Sequence, residues 1–207
     1  MCWYHWIAII SLTLSFSLLT FQFVRLLFLG RPNELSAPSG NVSKGVIYSF
    51  TKAMSPSQKE SAYMHLPTYA AGIIYHIGTF LSLGIFLVFI SGITEWYEGI
   101  KYFLSALLFV SVAAGFAVLI KRVLNSELKS LSGPDDYISN LLTTFAQLFS
   151  AFFLLFPGLE PFYYLTMSLF LVWLPLGKTR HLLYFFFARY HLGFFYGWRG
   201  TWPQKTE

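Results

Sequence analysis

The feature that most constrains this chain is a set of long stretches that contain no Asp, Glu, Lys or Arg. These stretches cover residues 1–24, 61–94, 102–120, 137–159 and 161–177. The first four have about the 20 residues that a helix needs to cross roughly 30 Å of hydrocarbon. The last is shorter, but Pro161 suits a first helical position, and the apolar residues 181–188 can extend it beyond Lys178 and Arg180. The sequence therefore predicts an all-α integral membrane bundle of five transmembrane helices.

The composition points the same way. Of the 207 residues, 56% are hydrophobic and only 11% are charged, and the mean hydropathy is +0.57. Helices satisfy their backbone hydrogen bonds internally, as lipid demands, and no segment alternates in the manner of a barrel strand. An ordinary soluble domain is therefore excluded, and the length favours a single membrane domain over residues 1–207.

Cysteine content and charge exclude further classes of protein. The chain has one cysteine, Cys2, so it cannot build a disulfide framework, a zinc cluster or an iron–sulfur centre by itself. Its net charge of +5 comes from basic residues dispersed between apolar blocks. Because they do not gather on one amphipathic surface, nucleic acid is not an expected partner.

The basic residues also predict an orientation. If the N-terminus lies outside, every one of the 14 basic residues except Lys101 falls on the inner side of the membrane. The positive-inside rule then gives a chain that is N-out and C-in. A cleaved signal peptide is the competing interpretation of the first stretch, but it lacks a basic beginning and its apolar core is too long.

The connections between the spans carry weaker signals. Residues 30–62 are predicted to form an inner-side loop with one short amphipathic helix. The Gly-Pro pair at 133–134 predicts a helix stop and restart, and the acidic pair at 135–136 suits the helix N-terminus that follows. The aromatic and basic tail, residues 189–207, is expected on the inner side, either on the membrane face or against a partner subunit.

Two histidines lie at matching depths in this arrangement. His76 is 19 residues from Glu95, and His181 is 21 residues from Glu160, which are roughly 28 and 31 Å from the outer boundary. Two imidazoles that face each other across a bundle are what a bis-His haem requires, because neutral Nε2 is a good axial ligand. The alternative is that both histidines form hydrogen bonds to neighbouring helices or lie at the interface.

Small residues and a proline accompany these candidate ligands. Gly72 and Gly78 flank His76, and their lack of a side chain would let a flat macrocycle approach the backbone. Pro175 precedes His181 and is expected to bend its helix around such a plate.

Segments of the last four predicted spans resemble a known family. They are residues 75–78, 115–122, 133–137 and 173–181. In order and spacing they resemble the cytochrome b gamma subunit of respiratory nitrate reductase and its relatives that anchor heterodisulfide-reductase-like and sulfite-reduction-associated complexes. The resemblance implies a five-helix anchor, N-out and C-in, that binds haem b. It also implies electron exchange between the membrane quinone pool and an iron–sulfur subunit on the cytoplasmic side.

The family's ligand pattern is only partly present. His76 and His181 match the axial ligands of the haem nearest the inner surface. The positions that would bind a second haem fall near Phe86 and Tyr163, neither of which replaces an axial imidazole. The resemblance therefore implies one haem b in this chain.

The remaining histidines leave alternatives open. His65 and His191 form a rival second pair, because they lie at matching distances on the inner side of the first pair. Pro67 is expected to begin the second span, which places His65 on a loop. His5, between Trp3 and Trp6, is predicted to belong to an outer aromatic belt.

Charged residues near the two ends of the spans have two possible roles each. At the inner end, haem propionates would be bound by Lys178, Arg180, Arg189, Lys121 or Arg122. The alternative is that these charges only set the topology. At the outer end, a short loop with Glu95, Glu98 and Lys101 is either a wet connection or part of a quinone site.

The resemblance thus implies an electron-transfer subunit of an oxidoreductase complex in the cell's inner (plasma) membrane. Its expected partners are lipid, a quinone and the cytoplasmic iron–sulfur subunit. The alternative is a haem-free membrane scaffold or assembly subunit of such a complex. A transporter is disfavoured, because charged or paired polar groups are not apparent in the middle of the predicted spans.

Overall fold

The computed structural model describes residues 2–29, 34–58 and 64–203. Within these ranges the chain is helical and has no strand, so the predicted all-α class is confirmed. The helices are α1 (Trp3–Phe28), α2 (Val42–Phe50), α3 (Leu66–Ile90), α4 (Glu98–Leu124), α5 (Ser126–Ser130), α6 (Pro134–Leu155), α7 (Glu160–Trp173) and α8 (His181–Trp198). Short 3₁₀ turns lie at Lys52–Met54, Pro56–Gln58, Pro157–Leu159 and Lys178–Arg180.

Four of the helices in the described ranges are long and apolar enough to cross a membrane, namely α1, α3, α4 and α6. They coincide with the first four predicted spans. The fifth predicted span is not one continuous helix, because α7 ends at Trp173 and α8 begins at His181. Pro175 lies in this break, where its missing N–H prevents the helix from continuing. The two helices count as a fifth candidate only if they are taken together as one broken span.

Most helix boundaries lie where the sequence predicted them. Pro161 is in the first turn of α7, and Pro67 is in the first turn of α3, which leaves His65 before that helix. Pro134 begins α6, and the Asp136 carboxylate accepts a hydrogen bond of 3.0 Å from the backbone N–H of Gly133. The predicted stop, restart and acidic cap are therefore confirmed.

The contacts divide the chain into two compact units. We call Met1–Leu18 together with Pro67–Thr179 the bundle unit. We call Leu19–Leu66 together with Arg180–Glu207 the glycine-packed unit. The single domain over residues 1–207 stays a prediction. The predicted inner loop and tail extend over residues 30–33, 59–62 and 204–207, which lie outside the described residues.

The core of the bundle unit is built from apolar and aromatic side chains. Leu108, Met167 and Phe170 are fully buried in it. Phe153 stacks on Tyr163 with the ring centroids 4.6 Å apart. Burial of such side chains is worth about 1.5–3 kcal/mol each where water is the alternative. In a bilayer this packing instead provides close van der Waals contact between helices.

The glycine-packed unit is held together by a close approach of α2 and α8. A Cβ atom on Gly45 would lie 2.5 Å from the Cα of Gly197, and one on Gly193 would lie 2.5 Å from the Cα of Val46. The two helices therefore meet backbone to backbone, as in GxxxG contacts between membrane helices. The Ser49 hydroxyl adds a hydrogen bond of 2.6 Å to the carbonyl oxygen of Arg189. The short helix predicted within residues 30–62 is confirmed as α2.

Candidate functional site

His76 is held in a defined orientation by its own helix. It lies on an exposed face of α3, and its Nδ1 is 2.6 Å from the carbonyl oxygen of Gly72. A carbonyl oxygen can only accept, so Nδ1 carries the hydrogen, and in the neutral imidazole the lone pair then lies on Nε2. A hydrogen bond of this kind orients many metal-binding imidazoles in proteins.

The two glycines beside His76 have different surroundings. A Cβ atom on Gly72 would meet no atom within 4 Å, so the backbone one turn before His76 lies beside open space. A Cβ atom on Gly78 would overlap the Ser111 side chain and lie 2.9 Å from Oε1 of Gln147. Gly78 therefore allows α3 to approach α4 and α6. The role of both glycines at a macrocycle stays a prediction.

His181 is the first residue of α8 and is exposed. It belongs to the glycine-packed unit, whereas His76 belongs to the bundle unit. The pairing of the two imidazoles on one iron therefore stays a prediction. Within the described ranges, no three His, Cys, Asp or Glu side chains gather as a metal site. A bis-His haem needs only two protein ligands.

The positions of the absent second ligand pair lie in the core of the bundle unit. Phe86 and Tyr163 are both fully buried, with ring centroids 6.4 Å apart. Tyr164 packs against both of them, with its ring centroid 6.1 Å from that of Phe86 and 5.0 Å from that of Tyr163. Aromatic side chains therefore fill the region around these two positions.

Several basic residues predicted near the haem have protein partners in the bundle unit. Arg122 forms an ion pair with Asp136 at 3.0 Å, and Lys178 reaches the other oxygen of that carboxylate at 2.6 Å. The Lys121 ammonium donates to the Thr68 hydroxyl at 2.6 Å. Asp136 therefore links α4 to the turn after α7, in addition to capping α6. The sequence indicated the cap but not these two ion pairs.

The other basic candidates lie in the glycine-packed unit. Arg180 is exposed and belongs to the turn before α8. The Arg189 guanidinium contacts the sulfur of Met54 and lies 5.9 Å from the centroid of the Phe185 ring. Contacts to propionates remain predictions for all of these basic residues.

A buried network of neutral polar side chains connects α3, α4 and α6. The Ser111 hydroxyl donates to Oε1 of Gln147 at 2.6 Å, and the Gln147 amide donates to the Thr79 hydroxyl at 2.8 Å. The Tyr75 hydroxyl donates to the carbonyl oxygen of Asn140 at 2.8 Å. Hydrogen bonds between helices are common in membrane bundles because hydrocarbon offers no other partner.

This network corrects one prediction. From the sequence, charged or paired polar groups are not apparent in the middle of the predicted spans. The structure shows paired polar side chains there, and they are uncharged. The signal was available in α6, where Asn140, Thr144, Gln147 and Ala151 recur at spacings of three and four and share a helix face. The sequence does not show which helix packs against this face of α6, so it does not show which side chains form hydrogen bonds with it.

A second cluster of polar groups lies in the bundle unit where the first turn of α1 meets the first turn of α7. The two oxygens of Glu160 contact Nε2 of His5 at 3.1 Å and the hydroxyl of Tyr4 at 2.9 Å. The His5 ring also packs against Tyr164, with centroids 4.5 Å apart. Sequence reasoning assigned His5 to an aromatic belt and missed its partner Glu160, because the two residues are far apart in the chain. The belt itself stays a prediction.

The loop before α4 has the features of an exposed connection. After this loop, Glu98 and Lys101 form an ion pair in the first turn of α4. Trp96 stacks on Phe89 with ring centroids 5.2 Å apart, and its indole N–H donates to the carbonyl oxygen of Ile93. Glu95 is exposed. A quinone site at this loop stays a prediction.

The remaining histidines both belong to the glycine-packed unit. His65 is exposed and lies immediately before α3, and His191 lies on α8 with its ring centroid 5.6 Å from that of Tyr190. A second haem between His65 and His191 stays a prediction.

No protein-family model, curated protein or solved structure matches this chain. The likeness to the cytochrome b subunit of respiratory nitrate reductase therefore depends on the sequence segments alone.

Proposed function

We propose that this chain is a membrane-anchor cytochrome b of a respiratory redox complex. In this proposal His76 and His181 bind one haem b, in a five-span bundle that is N-out and C-in. The chain passes electrons between the quinone pool of the inner (plasma) membrane and an iron–sulfur subunit on the cytoplasmic side. It is then an electron-transfer subunit and not an enzyme by itself.

The observation that carries this proposal is the hydrogen bond between Nδ1 of His76 and the Gly72 carbonyl. In the neutral imidazole it favours the tautomer whose Nε2 can ligate iron, and it restricts rotation of the ring. The open space beside Gly72 further supports a planar group at this face of α3. The aromatic packing around Phe86 and Tyr163 supports one haem instead of two.

In this mechanism the chain positions a cofactor. When bound, the haem would supply a reversible one-electron step. The Gly72 carbonyl would keep a hydrogen on Nδ1 of His76 and so strengthen Nε2 as a ligand. Arg180, at the turn before His181, is the exposed basic residue best placed in sequence to bind a propionate of the same cofactor.

Optical spectra of the purified full-length chain test the proposal. We expect a Soret band, and α and β bands that appear on reduction, at one haem per chain. His76→Ala and His181→Ala should each abolish these bands, whereas the matched variants His65→Ala and His191→Ala should retain them. Loss of the bands only in the His65 and His191 variants would contradict the assignment.

A haem-free scaffold is the second candidate. It is favoured by the buried network around Gln147, which joins three helices by direct hydrogen bonds and needs no cofactor. A colourless preparation with full helical circular dichroism, even when haem is supplied during expression, would support the scaffold.

A further inference from the structure

The glycine-packed unit contains a half-open pocket of about 500 Å³. One wall is the last part of α1 and the other is α8, and the lining includes Phe23, Leu26, Leu27, Phe186, Phe187 and Tyr190. This volume lies within the roughly 300–1,000 Å³ that is usual for small-molecule sites in proteins. The pocket is therefore large enough for a ring with part of an attached chain.

The walls of this pocket are rich in aromatic rings. Phe23 meets Phe187 edge to face, with ring centroids 5.6 Å apart. Phe186 stacks on Phe50 of α2 at 6.3 Å and is still 55% exposed. Aromatic side chains arranged in this way favour a flat, conjugated ligand over a saturated chain, because ring contacts contribute beyond the area they bury.

One edge of the pocket is polar. His191 completes the lining next to Tyr190, with ring centroids 5.6 Å apart. In the part of the chain that the structure describes, neither the Tyr190 hydroxyl nor the His191 imidazole has a hydrogen-bond partner. Two adjacent donors at the edge of an apolar pocket suit a ligand that combines a greasy body with carbonyl acceptors.

We propose that this pocket binds the head ring of a membrane quinone, with His191 and Tyr190 donating hydrogen bonds to a quinone carbonyl. The aromatic walls would hold the ring, and Leu26 and Leu27 would contact the first part of the isoprenoid tail. This proposal extends the proposed function by locating its quinone site, and it places that site in the glycine-packed unit and not at the loop with Glu95 and Lys101.

Photolabelling of the full chain in nanodiscs tests this assignment. The probe is a short-tailed naphthoquinone that carries an azide, and the labelled peptides are identified by mass spectrometry. We expect label within residues 23–27 or 186–191, displaced by unlabelled naphthoquinone. Label confined to residues 95–101, or displacement by phosphatidylglycerol as effective as by the quinone, would overturn the proposal.

Two variants sharpen the test. Leu27→Trp fills the pocket and His191→Leu removes a donor, and each should weaken quinone binding by roughly tenfold or more. Leu192→Trp is the matched control, because Leu192 is exposed on α8 but does not line the pocket. Unchanged binding in both His191→Leu and Leu27→Trp, with circular dichroism intact, would also overturn it.

The same preparation separates this proposal from the haem proposal. Photolabelling does not require haem, so a colourless chain that is labelled at the pocket would refute the haem and keep the quinone site. A chain with haem bands but no label at the pocket would refute only the site.

Discussion

Gln147 on α6 forms hydrogen bonds with both α3 and α4 in the interior of the bundle unit. Its amide donates to Thr79 and to the carbonyl oxygen of Tyr75, and its Oε1 accepts from Ser111. The side chain is fully buried, so each of these partners would lose its bond in a medium of low dielectric if the amide were removed.

We expect Gln147→Leu to lower the free energy of unfolding by about 1–2 kcal/mol, because Thr79 and Ser111 each lose a buried hydrogen bond to the amide. Thermal unfolding in detergent, followed by far-ultraviolet circular dichroism, measures the change. Thr13→Val is the control, since the exposed Thr13 hydroxyl bonds only the Ile9 carbonyl of its own helix. Equal losses in both variants would contradict this role for Gln147.

Glu34 provides a pH-dependent contact in the glycine-packed unit. The Ser36 hydroxyl donates to its carboxylate at 2.9 Å, and Arg199 binds the other oxygen at 2.6 Å. The hydrogen bond from Ser36, with the nearby Arg199 charge as a smaller cause, holds the pKa of Glu34 below its ordinary value. The stabilisation is therefore present above the pKa of the unfolded chain, and it is lost as the pH falls through the lower pKa of the folded chain.

Carboxyl ¹³C NMR titration tests this contact. Ser36→Ala should raise the pKa of Glu34 toward its ordinary value, because the first cause of the shift is removed. Ser43→Ala, on the exposed side of α2, should leave the titration unchanged. An unaltered pKa in Ser36→Ala would assign the shift to Arg199 instead.

At the scale of elements, the pairing of α2 with α8 depends on the absence of side chains. Gly45, Gly193 and Gly197 bring the two backbones into direct contact. The atoms that a new Cβ would meet belong to backbone, so they cannot rotate away as the end of a side chain can.

Gly45→Ala should separate α2 from α8 and destabilise the glycine-packed unit by about 2 kcal/mol or more. Limited digestion with trypsin measures this as faster cleavage at Lys44 and Lys52. Gly84→Ala is the matched control, because a Cβ there meets no atom within 4 Å. Equal digestion rates for the two variants would show that the contact between the helices tolerates a methyl group.

At the scale of the whole molecule, the proposed orientation can be tested with the chain's own chemistry. Cys2 is its only cysteine and is exposed. If the chain is N-out, a membrane-impermeant maleimide should label Cys2 in intact spheroplasts. In a Cys2→Ser background, Thr201→Cys should be labelled only after the membrane is opened. The reverse pattern would overturn the orientation.

The sequence predicted four of the membrane-length helices correctly and the continuity of the fifth incorrectly. Four uncharged stretches predicted four long helices correctly, because a run of that length has few alternatives to a helix in lipid. The fifth was expected as one helix that bends at Pro175, and it is instead two helices separated by a turn. Composition alone does not distinguish a bent helix from a broken one.

For the candidate site, the assignment of His76 as a ligand stays a prediction, and the sequence did not predict the Gly72 carbonyl that orients its ring. The sequence predicted Asp136 as a cap but not as a partner of Arg122 and Lys178. Capping is local, because it joins residues within one helical turn. Ion pairs between elements depend on the path of the chain between them.

The sequence by itself determined the all-α class and the positions of the four long helices, because both follow from where charge is absent and where proline and glycine interrupt a helix. Only the tertiary structure decided which polar groups pair, which glycines lie at a helix contact and where a pocket opens. Tyr4 and Glu160 are 156 residues apart in the chain, and their contact exists only because the packing of the helices brings them together.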